Sequence, residues 1–385
     1  MKSQRKNEQI IIDENELAIL SLIKEGMLGN CQHLMDEEEK EEVIKTSKFK
    51  NKFFPYPLTF APKNNNKNIK NLKNEKEVDL ICNEKEVGKI KIKNIFKNDK
   101  DSYIFNPNTC SLESTTKYCI SGDIEILDSK IKILKKQFEE KKEKLNAKKI
   151  TGIVSSFDPL HRAHERIFRW SIDKADLVVI FLIESYEKNG LDFDLKKSCL
   201  EIFINKYIPL DRIFIFPLKN VDIFGAHLNP GLEGIIAKSL GCTKLVVGQN
   251  HPGLGMFYVH NQPKTILDEF SKNYGIEVVI LPEFVFCNKC KIIVSTRSCP
   301  HGSHHHMHYN TSSLKKLLRL GIIPPSVFMR KEISSIILSE LFPNRFKNMQ
   351  KIYNDLFPND GLLKYREDNE FYEKLLEVYQ ATYMV

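Results

Sequence analysis

Two histidines three residues apart, His161 and His164, follow an apolar run from Ile150 to Val154, in the stretch Ser155-Ser156-Phe157-Asp158-Pro159-Leu160-His161-Arg162-Ala163-His164-Glu165. Residues at i and i+3 share one helical face, so both imidazoles fall on the first turn of a helix that begins just after a buried strand. The unsatisfied N–H groups and positive dipole end of such a turn already favour an anion. Two imidazoles placed there can hold the phosphates of a nucleotide and stabilise charge that develops during transfer. The same pair also suits a structural metal, and on its own the pattern is evenly balanced between the two.

Two further segments weigh on that balance. After the apolar run Lys244–Val247 comes Gly248-Gln249-Asn250-His251-Pro252-Gly253-Leu254-Gly255. Glycines let the backbone approach a ligand closely, and His251 sits among them. Farther on, Tyr309-Asn310-Thr311-Ser312-Ser313-Leu314-Lys315-Lys316-Leu317 leads hydroxyl residues into a helix. Thr311 and Ser312 can cap that helix or donate to phosphate oxygens at its N-terminus, with Lys315 or Lys316 adding a positive charge.

These segments must be carried by a scaffold, and its texture changes along the chain. Up to about residue 130, short β-leaning pieces alternate with turn residues, among them Phe53–Phe60, Val78–Cys82 and Gly88–Ile92, after an amphipathic helix from Glu14 to about Lys24. Residues 129–149 read as a connecting helix with a solvated face. From 150 onward apolar strands at Ile150–Ser155, Leu177–Ile183, Arg212–Phe216, Lys244–Val247 and Glu277–Leu281 alternate with helical stretches around 164–174, 193–206, 230–240 and 264–273. That order predicts an α/β domain with a doubly wound parallel sheet, whose ligands sit beyond the carboxyl ends of the strands. His161 and His251 both fall there. From about 311 the chain reads as helical, and its last part packs on the catalytic domain or builds a homo-oligomer contact.

Composition bounds the function classes. The 385 residues carry 42% hydrophobic and 28% charged residues and a net charge of +8, with lysine and asparagine spread throughout, as in the solvated stretch Lys63–Asn68. There is no arginine-rich helix or aromatic-studded basic sheet of the kind used on nucleic acids. No run approaches the roughly 18 apolar residues of a membrane span, and the start lacks a signal-peptide core, so a cytoplasmic enzyme of small molecules is expected.

The nine cysteines suggest reduced thiols rather than a disulfide framework. Three have metal-ligand spacing, Cys287-x2-Cys290-x8-Cys299, followed by His301, His304, His305, His306 and His308. Two thiolates on a tight knuckle, a third thiolate and an imidazole suit a structural tetrahedral zinc. His304 is the expected fourth ligand on reach, with His301 and His305 behind it. The remaining cysteines, such as Cys82, Cys199 and Cys242, lie in apolar company and read as core.

Taken together, the motifs resemble those of the ATP sulfurylase (sulfate adenylyltransferase) family, within the wider HxGH nucleotidyltransferase superfamily. Gly26 to Asp36 and Phe53-Phe54-Pro55-Tyr56-Pro57-Leu58-Thr59 resemble the start of its PUA-like N-terminal domain. His161-Arg162-Ala163-His164-Glu165 resembles its H-R-G-H-E, and Gly248 to Gly253 stands where the family has G-R-D-H-A-G. Gly321-Ile322-Ile323-Pro324-Pro325 with Phe328-Met329-Arg330 resembles its C-terminal signature. The resemblance implies a PUA-like β-rich domain over 1–148, a Rossmann-like nucleotidyltransferase domain over 149–325 including a zinc knuckle at 287–308, and a helical segment over 326–385. It also implies in-line attack by a sulfate oxygen on the α-phosphorus of MgATP, with His161 and His164 catalytic and Gly248, His251 and Gly253 lining the nucleotide pocket.

The match breaks where the family holds sulfate. Its Q-T-R-N-P is Ser155-Ser156-Phe157-Asp158-Pro159 here, its G-R-D-H is Gly248-Gln249-Asn250-His251, and Pro252 replaces an alanine whose N–H meets sulfate. Between Asn220 and Gly231, where the family carries arginines, stand Asp222, Ile223 and Gly225 and no arginine. Burying a dianion without a paired cation costs several kcal/mol. An acceptor pocket formed by Ser155, Ser156, Phe157, Asp158, Gln249 and Asn250 therefore suits a neutral or cationic acceptor better, unless a lysine such as Lys188 or Lys219 refills it. Sulfate adenylylation, transfer to another acceptor and an inactive nucleotide-binding homologue are the three readings carried forward.

Overall fold

The computed structural model describes residues 8–55, 57–62, 69, 72, 74–97, 118–185, 189–224, 230–249, 251, 256–259, 262–265, 275–345, 348–357 and 364–381. Asn250, Pro252, Gly253, Lys188, Gly225, the stretch 63–68 and most of the helix expected at 264–273 lie outside these residues. The chain divides into two compact units, Met1–Ser155 with Ala175–Glu187 and Phe214–Leu281, and Ser156–Lys174 with Lys188–Ile213 and Pro282–Val385.

In the first unit, β1 (Gln9–Ile11), β4 (Glu77–Cys82), β5 (Lys85–Lys97) and β6 (Tyr118–Ile126) form a four-stranded sheet in the order β1-β4-β5-β6. Helix α1 (Glu14–Lys24) starts at the expected residue because Asp13 and Glu16 close a reciprocal capping box, at 2.7 and 2.8 Å. α2 (Glu37–Thr46) starts in the same way from Asp36 and Glu39. The run Phe53–Phe60 yields only the tail of a two-residue hairpin, β2 (Lys48–Phe49) with β3 (Lys52–Phe53), and one bridge from Phe60 to Ile120. Pro55 and Pro57 have no N–H for a ladder.

After α3 (Lys130–Lys144), the same unit holds a second sheet of β7 (Ile150–Ser155), β8 (Leu177–Ile183), β9 (Ile213–Leu218), β10 (Lys244–Gly248) and β13 (Glu277–Leu281), in the order β13-β10-β7-β8-β9. Pairing is parallel from β13 through β10 and β7 to β8. All seven residues of β8 are buried, as a strand covered on both faces requires. The sequence steps from β7 outward through β8 and β9, then returns to β10 on the other side of β7. A switch point therefore lies between β7 and β10. Gly152 of β7 allows close packing there, since a Cβ at that position would lie 3.1 Å from Ala237 of α6 (Pro230–Ser239) and 3.2 Å from Cys242 Sγ. One apolar core joins both sheets, running from Ile10 to Ile276. Residues 264 and 265, expected to open a helix, close an antiparallel hairpin of β11 (Met256–Val259) and β12 (Gln262–Thr265).

The second unit contains α4 (Arg162–Ile172) and α5 (Phe193–Tyr207), then an antiparallel sheet of β14 (Phe284–Cys287), β15 (Ile292–Ser295) and β16 (His306–His308) with β14 at its centre. Four helices follow, α7 (Thr311–Arg319), α8 (Lys331–Leu341), α9 (Met349–Leu356) and α10 (Asp368–Ala381). α8 buries Ile333, Ile337 and Leu338, and α10 buries Phe371, Tyr372 and Leu376. Lys331 bridges the two helices to Glu373 at 3.7 Å and Glu377 at 2.5 Å. α9, within the stretch expected to be helical, is held through Met349, Phe357 and Phe371. Among the described residues no helix is long and apolar enough to cross a membrane.

Candidate active site

His161 is the extended N-cap of α4, and its backbone N–H donates to Nδ1 of His164 at 3.2 Å. The accepting Nδ1 of His164 leaves its Nε2 as the ring nitrogen open to donate. The two rings stack at 3.7 Å with only 16° between their planes. His161 is 8% exposed, and burial lowers its pKa from 6.5 to about 3, so it is neutral near pH 7. Its buried Nδ1 has no hydrogen-bond partner among the described residues. Such an atom at a helix N-terminus is suited to a ligand, because leaving it unsatisfied costs about 1–3 kcal/mol. The pair therefore presents two stacked imidazoles at a helix N-terminus, a setting that favours an anion.

The residues before the pair are committed to the protein interior. Phe157, expected to line an acceptor pocket, is 2% exposed and packs edge-on against His164 at 5.0 Å and against Phe168 at 5.4 Å. Its φ of 45° is a left-handed value that a bulky residue rarely adopts, and the packing of its ring holds it there. Asp158, expected to add an acid to that pocket, is buried, accepts the Leu191 N–H at 3.0 Å and pairs with Lys315 Nζ at 3.0 Å. This corrects two expectations at once. Asp158 brings no net negative charge, and Lys315 is held by the protein instead of reaching out to a phosphate. Nor do the hydroxyls of Thr311 and Ser312 cap α7, since Asn310 accepts the Ser313 N–H at 2.8 Å. Ser312 is exposed, and Ser155 and Ser156 are half-buried, with Ser155 closing β7 in the first unit and Ser156 opening the second.

Within the first unit, Gly248 ends β10 and Gln249 donates its N–H to Leu281 at 2.8 Å. A Cβ at Gly248 would meet nothing within 4 Å among the described residues. His251 Nε2 lies 3.1 Å from Glu233 on α6, with side chains 8% and 2% exposed. Sequence reasoning missed Glu233, although it is the one acid in the apolar run Pro230–Ala237. Asp222 lines a cleft of about 260 Å³ with Asn15, Glu184, Ser185 and Asn220, beyond the carboxyl ends of β8 and β9. No cation is among these lining residues.

The cysteine cluster takes a different fourth member from the one expected. Cys287, Cys290, Cys299 and His301 bring their ligand atoms within 4.8 Å of one another. His301 Nδ1 is 3.4, 3.2 and 3.7 Å from the three sulfurs, and the Cys290 and Cys299 sulfurs are 4.0 Å apart. A tetrahedral zinc sets separations of about 3.8 Å between sulfurs and about 3.5 Å from sulfur to nitrogen, so the cage fits that ion. His304 stays outside because the 3-10 turn Ser303–His305 leaves it exposed against His305, with ring centroids 4.0 Å apart. Burial opposes ionisation of Cys287, but N–H groups of Cys290 and Lys289 favour its thiolate. Burial and then the adjacent sulfurs push Cys290 up. Cys31, Cys82, Cys119, Cys199 and Cys242 are buried, in keeping with the core assignment, and Cys110 lies outside the described residues.

A family model described as ATP-sulfurylase matches residues 129–340, more than half of the chain. The sulfate adenylyltransferase of Carboxydothermus hydrogenoformans is 25% identical over 257 residues, covering 64% of this chain and 66% of that protein. That of Cenarchaeum symbiosum is 29% identical over 197 residues, covering 51% and 52%. The aligned part thus spans less than two thirds of either relative. In fold, the chain is similar to a structure described as a hexameric APS kinase from Thiobacillus denitrificans, with a TM-score of 0.68, 13% identity, and coverage of 88% of this chain and 64% of that one. The family match contains α4 with its stacked histidines, the Gly248–His251 turn and the cysteine cage, and the chain belongs to the ATP-sulfurylase family.

Proposed function

We propose that this chain is a sulfate adenylyltransferase. A sulfate oxygen attacks the α-phosphorus of MgATP in line, the bond to the β-phosphate oxygen breaks, and adenylyl sulfate and pyrophosphate leave. The observation that carries the reading is the stacked His161–His164 pair at the N-terminus of α4, with the His161 Nδ1 buried and unpartnered. Donors fixed before substrate arrives stabilise the charge spread over the transferring phosphoryl group without reorganising. Within the first unit, Glu233 steadies His251, which stands in the family's nucleotide motif. The named relatives support sulfate over another acceptor, and so does the neutralisation of Asp158 by Lys315, which removes the acid that told against an anion.

Residues 1–148 are read as the PUA-like domain, 149–325 as the nucleotidyltransferase domain and 326–385 as its helical extension. Cys287, Cys290, Cys299 and His301 would hold zinc. With four protein ligands and no open position, the ion would be structural. The enzyme is read as cytoplasmic and homo-oligomeric, acting on small molecules with no nucleic acid or membrane partner.

The test is pyrophosphate release from MgATP with and without sulfate. Wild-type protein should release it only with sulfate, and His164→Ala should lower turnover by about 10²-fold or more while keeping the wild-type circular dichroism. Release by the variant at the wild-type rate, or release indifferent to sulfate, would refute the assignment.

A further inference from the structure

Residues 309–330 grip the histidine-bearing turn at several points, all within the second unit. Lys315 holds Asp158 at 3.0 Å. Tyr309 lays its ring on His161, with centroids 5.2 Å apart, and donates its hydroxyl to the Val327 carbonyl at 2.9 Å. The Phe328 carbonyl accepts the Arg162 N–H at 2.8 Å, and the Ser326 carbonyl accepts Arg162 Nε at 3.1 Å. Arg330 closes the grip with a fork onto Glu165, one residue after His164, at 2.9 and 2.6 Å.

Glu165 is the node of this arrangement. Besides Arg330 it receives Arg162 at 3.4 Å and Arg169 at 3.1 Å. Burial alone would raise its carboxyl, but Arg330, then Arg162 and Arg169, outweigh that and keep it below the usual range. Arg330 in turn lies 3.5 Å over the Tyr207 ring, and the Tyr207 hydroxyl donates to Glu332 at 2.5 Å. A void of only about 10 Å³ separates Leu160, His161, Arg162, Glu165, Phe203 and Arg330. That leaves space for about one water, so movement of Arg330 must be felt at His161.

We infer that the segment 309–330 is a strap, locked by the Arg330–Glu165 fork, that fixes the position of His161 and His164. Glu165 and Arg330 are positioning residues. They touch no reacting atom but hold the imidazoles against the phosphoryl group to within a fraction of an ångström. The inference rests on the adenylyltransferase reading for its kinetic consequence alone. A planar guanidinium that both stacks and binds bidentately is not replaced by an ammonium.

Arg330→Lys keeps the charge and loses the fork, and should lower kcat by about 10- to 100-fold. KM for ATP should stay within roughly threefold, because the lost contact matters at the transition state. Wild-type and variant proteins would be matched for circular dichroism and melting temperature. A second readout needs no turnover: histidine ring titration by NMR. In the wild type His161 should stay neutral to well below pH 6.5. In Arg330→Lys, with His164, Tyr309, Arg162 and Glu165 still facing it, a loosened and wetter ring should titrate closer to 6.5. Tyr309→Phe, which keeps the stack and loses the Val327 bond, should show a smaller change of the same kind.

A lower kcat with a displaced titration supports the strap. Unchanged kcat with unchanged titration overturns it. If the wild type itself releases no pyrophosphate while the titration still shifts, the functional reading fails and the strap stands. A fall in melting temperature with His161 unmoved would make the fork merely structural and overturn the inference as well.

Discussion

The histidine pair on α4 and the cage around His301 are built in the same unit, and they fix their imidazoles by opposite means. His161 and His164 are held by stacked rings, by a backbone N–H onto His164, by a buried ion pair before the turn and by a half-buried one after it. The cage brings three sulfurs and a nitrogen together. Thiolates at such distances repel unless a cation lies between them, so a bound ion would complete the cage. On the proposed reading, the difference separates a catalytic site whose order is intrinsic from a structural site whose order a bound ion would supply.

Breaking the intrinsic order should have the largest effect. Lys315→Met leaves Asp158 buried without its cation and should cost about 3–5 kcal/mol of unfolding free energy, whereas Lys315→Met combined with Asp158→Asn should recover much of it. Chemical denaturation of both variants checks this, and equal losses in the two would show that the pair is not coupled. On the supplied side, Cys290→Ser should reduce bound zinc and lower the melting temperature by on the order of 10 °C, as should chelation of the wild type. Metal analysis alongside calorimetry reads both, and full stability without metal would remove the cage from the comparison.

A third effect is in pH. His161 has a folded pKa of about 3 against 6.5 unfolded, so between these values the unfolded chain binds a proton that the folded one refuses. Its contribution is complete above about pH 6.5 and declines as pH falls toward 3. The depressed Glu165 carboxyl acts in the same direction at lower pH, losing its contribution as it is protonated. Unfolding free energy should therefore drop from about pH 7 to about pH 4, and the drop should persist in chelated protein because it does not belong to the cage. His161→Gln should flatten it, and an unchanged slope in that variant would assign the acid sensitivity elsewhere.

Much of this was legible in the chain because it is written in local patterns. β8 reads as an uninterrupted apolar run and β7 as a mostly apolar one, α1 begins at a capping box, and the histidine spacing reports one helical face. What escaped depends on residues far apart in sequence. Lys315 and Asp158 are separated by 157 positions, and nothing near either shows that it is spoken for. Glu165 and Arg330 were visible as motif letters, but their meeting was not. The fourth cage ligand was misjudged on reach along the chain, whereas β14–β16 pairing and the turn at Ser303 decide which histidine faces inward. Phe157 was read by its place in a motif, and its burial against Phe168 shows that the loop folds inward.

The unpartnered Nδ1 of His161 has a consequence for how this protein responds to its substrate. A buried polar atom left without a partner makes the ligand-free fold less stable than an apolar ring of the same shape would make it. On the adenylyltransferase reading, a phosphate-bearing ligand that engages this atom would relieve that cost, so resistance to heat or proteolysis should rise with nucleotide concentration.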